Sequence, residues 1–466
     1  MFRYVKTLIL SLEPPSRKSG KLEGKMLQKT INQFRDELYE VFKKRADASL
    51  ELIDALASAQ RVESPVSLSL SEVFRRGYAS VYDSLDEGEV EDAELRRLLY
   101  EWQPKASEQI AGYEIYASDA TKETRAAAKT LADRTTQKTQ ANAVGVAGHQ
   151  YQWLTRLVTE CKSWVAPQAV DRVASNETAN EVAARQVQRL DQCSPNLKVV
   201  VADSGYVSKV FLAAFVGLFT VVLLIRLRSN QALYGSPAPR KPNQRGAPAK
   251  HGIKYKLGQM PAPDREQRCQ IGKHTVVLQM WMGLHLKVVA ALVGMVICVT
   301  VLNAAGKPKF KNPLWLFWTG APTIELRDIA RMYFWRFCIE HFFRFMKQHM
   351  GLCACNATSL QAVSQWMRLC MLAYWQLLLS VDLALPPNMP WRKVPTHPVP
   401  QAFSFTPRQV QLACHDILNR IGTPTQSPRP AGKAPGRALG FNPSPRIRYP
   451  IIYKSKKPAT PAPTVT

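Results

Sequence analysis

Hydrophobic residues recur at two different spacings along this chain, and the spacing changes near Gly112. Before that point they return every three or four positions, which predicts amphipathic helices over Gly24 to Ser58 and in two shorter segments that follow. After it, the pattern predicts a strand that ends at Asp119 and a second strand in VGVAGHQYQWLTRLV. A helix in NETANEVAARQVQRLDQ and a buried strand that leads into Asp203 come next. The order strand, strand, helix, strand predicts an α/β domain.

These changes of pattern predict three domains. Residues 1–111 are predicted to be a small helical domain for contact with DNA ends or for self-association, and residues 112–385 an α/β catalytic domain. The latter is predicted to carry a β-rich insertion at about 206–313. This insertion includes a polar, Pro-rich and basic connection that is too long for an ordinary loop. Residues 386–466 are predicted to be a disordered, Pro-rich basic tail.

Two apolar runs raise the question of a membrane. VFLAAFVGLFTVVLLI and VVAALVGMVICVTVL are both shorter than the roughly 20 residues that span a bilayer. They contain glycines and many β-branched residues, so the first is predicted to be a short helix that leads into a buried strand, and the second a buried strand. No secretory signal pattern opens the sequence. We therefore expect no membrane association and a cytoplasmic location.

The charge indicates a polyanionic partner. The 466 residues contain 62 Lys and Arg against 36 Asp and Glu, a formal net charge of +26. Each phosphate that such a surface neutralises releases counterions, so nucleic acid is the leading candidate and an anionic membrane the second. After Asp416 the tail contains no acid, whereas basic residues recur along it.

The segment RMYFWRFCIEHFFRFMKQHM, from Arg331 to Met350, is predicted to be one helix with a polar and an aromatic half. Tyr333, Arg336, Glu340 and Lys347 fall within about 60° of one another on the helical wheel. Arg344 lies on the adjoining side, and the large apolar residues occupy the other half. A polar face turned to water explains this pattern as well as an acid presented to a polyanion does.

Asp119, Asp203 and Glu340 are candidate ligands of a divalent metal. Two of them are predicted at strand ends, where functional groups of open α/β sheets gather. Close carboxylates repel unless a cation holds them ionised, and Mg²⁺ or Mn²⁺ prefers oxygen ligands. Two such ions about 3.5–4 Å apart catalyse in-line phosphoryl displacement. By spacing alone, ordinary surface carboxylates are the default explanation of the three acids, because any sequence offers many such triplets.

The spacing Tyr333-x2-Arg336-x3-Glu340-x6-Lys347 resembles the Y-x2-R-x3-E-x6-K signature of bacterial cut-and-paste DDE transposases of the insertion sequence four superfamily. VVVADSGYVSKVF resembles the second-aspartate motif of that family, and YASDATKETRAAAKTLADR its first-aspartate region. The resemblance covers about Gly112 to Leu385.

The resemblance implies an RNase H-like fold with two Mg²⁺ or Mn²⁺ ions that nicks transposon ends and transfers the freed strand to target DNA. Asp119, Asp203 and Glu340 would be the catalytic metal ligands. Double-stranded DNA, as terminal inverted repeats and target, would be the partner of a homodimer in a bacterial, nucleoid-associated location. The residues expected to bind the DNA are Tyr333, Arg336 and Lys347, together with the neighbouring Arg344.

Two other functions remain open on the sequence. One is a catalytically inactive or decayed copy that binds transposon ends without cutting them. The other is a different two-metal enzyme on the same fold, such as an RNase H-type nuclease or an integrase.

Overall fold

A computed structural model describes most of the protein. It covers residues 21–105, 107–138, 145–159, 164–240, 246–384, 405–430 and 436–454. The architecture is mixed α/β and is built on one 12-stranded sheet with helices on both of its faces. This large mixed sheet fits the RNase H-like domain that was expected.

The N-terminal helices form as their apolar spacing predicts, with one interruption. The continuous helical spacing from Gly24 to Ser58 is broken at Arg45, which adopts a left-handed conformation with φ of 57° between two helices. A short strand precedes Arg45 and pairs antiparallel with another that follows the third helix. The elements are α1 Lys21–Val41, β1 Phe42–Lys44, α2 Ala46–Ser58, α3 Tyr78–Glu87, β2 Glu89–Val90 and α4 Asp92–Glu101.

Three central strands of the sheet run parallel, in the order β8, β7, β3, and an antiparallel pair, β5 and β6, continues the sheet beside β3. The helix predicted before Asp203 begins with a capping box in which Thr178 and Glu181 satisfy each other's backbone N–H groups. The pattern did not predict β4 or β6. The elements are β3 Glu114–Thr124, β4 Thr135–Gln137, β5 Val146–Leu157, β6 Val165–Val173, α5 Ala179–Asp191, β7 Lys198–Ala202, α6 Lys209–Ala213 and β8 Val221–Leu227.

The segment after β8 extends the same sheet with antiparallel strands. The predicted insertion at about 206–313 includes α6 and β8, and β8 pairs directly with β7. The Pro-rich connection, which was considered too long for an ordinary loop, contributes three strands where it is described, because its apolar and polar residues alternate locally. The elements are β9 Ala232–Tyr234, β10 Lys254–Lys256, β11 Arg265–Ile271, β12 His274–Leu286, β13 Val289–Val301 and β14 Leu314–Trp318.

Both apolar runs are part of the sheet. The first forms α6 and leads into β8, and the second forms β13, so both predictions are confirmed. Within the described residues, no helix combines the length and the apolar character that a bilayer span requires.

Helices return in the last part of the chain, and one lies in the tail that was expected to be disordered. That helix, α10, starts with a capping box at Thr406 and buries Val410, Cys414, Ile417 and Leu418. The spacing of these four residues places them on one side of a helix, which explains the order. Residues 385–404, 431–435 and 455–466 of the predicted tail and its junction lie outside the described residues. The elements are α7 Leu326–Trp335, α8 Cys338–Gln348, α9 Leu360–Leu379 and α10 Pro407–Ile421.

The two faces of the sheet pack against different helices. Along β7, Val199 and Val201 pack on the side of the N-terminal helices and α7 to α10, whereas Val200 and Ala202 pack on the side of α5 and α6. This alternation follows from the two-residue period of a strand. Asp119 therefore lies on the same face of β3 as Ile115 and Ala117, towards α8.

A buried ion pair connects the N-terminal helices to α9 and to the end of α10. Arg35 of α1 donates to Asp54 of α2 at 2.5 Å and to the backbone oxygen of Gly422 at 2.6 Å. Gln376 of α9 donates to the other carboxylate oxygen of Asp54 at 2.9 Å. Four segments that are distant in the sequence therefore depend on one buried carboxylate.

Asp54→Ala is expected to lower the free energy of unfolding by about 3–5 kcal/mol, since it leaves the Arg35 guanidinium buried without its counter-charge. Urea denaturation measures this change. Glu94→Ala is the control, because Glu94 pairs with Arg97 at an exposed site and should cost less than about 1 kcal/mol. Equal losses for the two variants would contradict the importance of the buried pair.

Candidate active site

Asp119 lies on β3 at the point where one of the two neighbouring strands stops. The prediction that this strand ends at Asp119 is wrong, because β3 continues to Thr124 and pairs with β5 along this whole length. Its parallel pairing with β7, however, extends only to Ala117. Asp119 is therefore the second residue beyond the end of the parallel ladder, and its side chain faces the cleft that opens there.

Asp203 directly follows β7, as predicted. It begins the 3-10 turn Ser204–Tyr206, and its Oδ1 accepts a hydrogen bond from the backbone N–H of Gly205 at 2.7 Å. This local bond orients the carboxylate at the carboxyl end of the strand. Asp119 lies just beyond the end of the parallel β3–β7 ladder and Asp203 directly follows β7, so both acids lie at the same end of that ladder.

The segment that carries Glu340 forms two helices, so the prediction of one continuous helix is wrong. The junction between α7 and α8 lies at Arg336 and Phe337, where four backbone N–H groups bond to the residue three positions earlier. Such a 3-10 stretch winds more tightly than an α-helix. Arg336 and Glu340 still come together, with Arg336 Nη2 at 3.6 Å from Glu340 Oε1.

Burial of the aromatic half of this segment is largely confirmed, but Tyr333 does not lie on an exposed polar face. Tyr333 is only 4% exposed, and its ring centroid lies 6.0 Å from the guanidinium carbon of Arg336. The packing of α7 against β8 and β11 encloses the ring. Arg344 and Lys347, by contrast, are exposed. The polar half of the segment therefore has a buried part, which includes Tyr333, and an exposed part, which includes Arg344 and Lys347.

Arg336 is the residue on which the candidate acids converge. Its Nη1 donates to Asp119 Oδ2 at 3.2 Å, while its Nη2 approaches Glu340. Its side chain is 13% exposed, and those of Asp119 and Glu340 are 26% and 28% exposed. Asp203 is near enough for its charge to affect Asp119, Arg336 and Glu340. Two acids thus contact the guanidinium, and a third, from another segment, is near enough for its charge to act on it.

The pKa values show that the acids act on one another. Burial raises the pKa of Asp119, Arg336 offsets part of this rise, and the charge of Asp203 adds to it. Burial likewise raises the pKa of Glu340, which Arg336 lowers and Asp119 raises. Close carboxylates in a partly buried cleft favour a bound cation, because a cation keeps them ionised.

A buried hydrogen-bond network supports the acids from the opposite face of the sheet, and the sequence analysis did not find it. Gln152 of β5 donates to Ser118 Oγ at 3.0 Å and accepts from the Tyr206 hydroxyl at 2.7 Å. Ser118 precedes Asp119, and Tyr206 belongs to the turn that Asp203 caps. The available signal was a glutamine next to the apolar pair Trp153 and Leu154 in a strand that was predicted from the sequence, since a buried and unpaired amide would be costly.

Lys347 of α8 lies near Glu123, which is further along β3 than Asp119. Strand residues four apart share a face, so Glu123 faces α8 as Asp119 does. Burial raises the pKa of Glu123 to about 7, and the nearby cations Arg125 and Lys347 act against the rise. Helix α8 therefore runs along β3, with Glu340 beside Asp119 and Lys347 towards Glu123.

The chemistry of the donor atoms suits a divalent cation, but a side chain occupies the space between two of the carboxylates. Carboxylate oxygens from Asp119, Asp203 and Glu340 are the ligands that Mg²⁺ and Mn²⁺ prefer. Within the described ranges, no three His, Cys, Asp or Glu side chains are arranged as ligands around one point. The Arg336 guanidinium instead provides the positive charge between Asp119 and Glu340.

A mixed sheet with acids at the ends of adjacent parallel strands defines a candidate nuclease of the phosphoryl-transfer class. The family model of the DDE superfamily endonucleases matches residues 37–279. This match covers more than half of the chain, which therefore belongs to the DDE superfamily endonucleases, and membership implies a DNA substrate. Asp119 and Asp203 lie inside the matched range and Glu340 lies beyond it. No curated protein matches the chain.

Tyr206→Phe tests the supporting network. It removes one hydroxyl and leaves Gln152 Oε1 buried without its donor, so the free energy of unfolding should fall by about 1–3 kcal/mol. Chemical denaturation measures the loss. Tyr82→Phe removes a hydroxyl from a tyrosine that is 40% exposed and should have almost no effect. A Tyr206→Phe protein as stable as the parent would show that the network contributes nothing.

Proposed function

We propose that this protein is a cut-and-paste DNA transposase that cleaves DNA at transposon ends and joins the freed strand to target DNA. The observation that carries the proposal is the convergence of Asp119, Asp203 and Glu340 on Arg336. These residues include two members of the signature spacing, and they lie on the fold in which the resemblance expects them. Membership of the endonuclease family supports the cleavage step.

In this proposal the three carboxylates hold two Mg²⁺ or Mn²⁺ ions. Bound there, the ions would activate a water or a 3′-hydroxyl and stabilise the leaving oxygen. The chain itself fixes the ligands. Pairing with β5 holds Asp119, the turn after β7 orients Asp203, and the apolar face of α8 places Glu340. The rings of Trp153 and Phe342, 5.3 Å apart, anchor that helix to the sheet.

DNA would be bound along the exposed side of α8. Arg344 and Lys347 are exposed on the helix that carries Glu340, so they can reach phosphates next to the reacting one. Tyr333 is buried beneath Arg336. We therefore assign to Tyr333 the support of the guanidinium, while Arg336 contacts phosphate.

The wider assembly is also part of the proposal. The net charge of +26 favours duplex DNA as terminal inverted repeats and as target. Cutting and joining two ends together requires two active sites, which favours a homodimer. A cytoplasmic, nucleoid-associated location in a bacterium fits such a substrate.

A second function has one observation in its favour. A protein that binds transposon ends without cutting them would need no metal, and Arg336 already balances charge between Asp119 and Glu340. Cleavage assays separate the two functions. DNA flanking the coding sequence is the natural substrate for them, because short inverted repeats bracketed by a direct duplication would identify the transposon ends.

Glu340→Gln keeps the size of the side chain but removes a charged ligand. Mg²⁺-dependent nicking of a plasmid that carries the flanking DNA should fall by at least about 100-fold, because the charge is needed at the metal. DNA binding without metal should persist.

Glu325→Gln is the matched control, since Glu325 is exposed at the start of α7, and it should nick like the parent. If Glu340→Gln nicks as fast as a parent whose activity requires metal, Glu340 is a surface acid and the assignment is wrong. A parent that binds the ends but never nicks them favours the binding protein.

The tail is expected to contact phosphates. Arg437, Arg446 and Arg448 are exposed, so replacing all three with Gln should reduce the slope of log K against log salt by about 0.9 for each phosphate that the tail no longer neutralises. Fluorescence anisotropy with duplex DNA measures the slope.

The matched control removes the same charge elsewhere, by replacing Lys44, Arg45 and Arg97 with Gln. These cations pair with Glu89, Glu87 and Glu94. Equal slopes for the tail variant and the parent would show that the tail does not touch DNA.

A further inference from the structure

Arg336 stands where a cation bound by the candidate acids would have to stand. Its guanidinium contacts Asp119 at 3.2 Å and Glu340 at 3.6 Å, and the charge of Asp203 also acts on it. Arg336 belongs to the signature spacing and was expected to bind DNA, but here it pairs with the acids instead. While the side chain bridges these carboxylates, it occupies the space between them that a shared metal ion would take.

We propose that Arg336 is a placeholder cation, which holds the acids together without metal and moves to a DNA phosphate when divalent ions enter. The inference rests on the proposed function, because it assumes that Asp119, Asp203 and Glu340 are metal ligands. It adds an exchange of partners that makes metal binding and DNA binding support each other.

The charges of the site favour this exchange. Arg336 neutralises only one of the three acids, so the cluster keeps a negative charge that attracts a dication. Once dications neutralise all three carboxylates, the guanidinium faces positive charge and loses its partners. A phosphate then becomes the better partner, because guanidinium groups bind phosphate in the same forked geometry as carboxylate.

The local structure permits the movement. Arg336 lies at the junction of α7 and α8, where the bonds run to the third preceding residue rather than the fourth. Its two carboxylate partners are each more than a quarter exposed, so the site is open to solvent on one side. The Tyr333 ring lies beneath the guanidinium, with its centroid 6.0 Å from the guanidinium carbon.

Mn²⁺ affinity without DNA provides the test, because it does not depend on catalysis. By isothermal titration calorimetry, Arg336→Met should bind Mn²⁺ at least about tenfold more tightly than the parent, since a competing positive charge is gone. Arg336→Lys keeps the charge and should stay nearer to the parent. Arg331→Met removes an arginine that pairs with Asp328 on α7 and should not change the affinity. Mn²⁺ affinity in Arg336→Met that is equal to or weaker than that of the parent overturns the proposal.

A second measurement uses the parent and therefore does not depend on the folding of the variants. Mn²⁺ should raise the affinity of the parent for a short duplex with a free 3′-hydroxyl end, because reciprocal coupling links the two sites. An affinity that Mn²⁺ leaves unchanged contradicts the exchange.

Glu340→Gln distinguishes the two possible failures. If Mn²⁺ binding does not depend on Glu340, the proposed metal site is wrong and the placeholder role falls with it. If binding depends on Glu340 but Arg336→Met does not tighten it, only the placeholder role is wrong.

Discussion

The contact between Arg336 and Asp119 is the interaction on which the candidate site depends, because it joins the sheet to the helices that follow it. Asp119 is 217 positions from Arg336 in the sequence, and the whole β9 to β14 segment lies between them. A buried guanidinium requires a counter-charge, and a carboxylate in a cleft requires a cation. Without metal, each side therefore needs the other, and their contact joins the start of α8 to β3.

The sheet makes that contact possible through the unequal lengths of its ladders. The pairing of β3 with β7 ends at Ala117, whereas its pairing with β5 continues to Thr124. Beyond Ala117, β3 is therefore paired on one side only. On the opposite face, Gln152 connects Ser118 of β3 with Tyr206 in the turn after β7, and these hydrogen bonds support the segments that carry Asp119 and Asp203. The candidate site therefore lies where the hydrogen bonds between β3 and β7 end.

Much of the sheet could be predicted from the sequence, because its strands and α5 have clear periods and a capping box. Asp203 was placed correctly, since an apolar strand ends just before it. The residue at which β3 ends could not be predicted, because β3 is continued to Thr124 by its pairing with β5, a partner that the local pattern does not reveal. The break at Arg336 was missed for a similar reason. A helical wheel assumes the same number of residues in every turn. At this junction, packing in the folded protein tightens the turn to three residues. Gln152 escaped notice because its partners exist only in three dimensions.

The central claim is that Asp119, Asp203 and Glu340 share one metal site. Replacing Mg²⁺ with Fe²⁺ and generating hydroxyl radicals cuts the backbone only close to the bound ion, so the fragments identify the ligating segments. Mass spectrometry of the parent should find cuts near all three acids, and excess Mg²⁺ should suppress them together. Cuts near Asp119 and Asp203 without any near Glu340, or cuts that Mg²⁺ does not suppress, would contradict the claim.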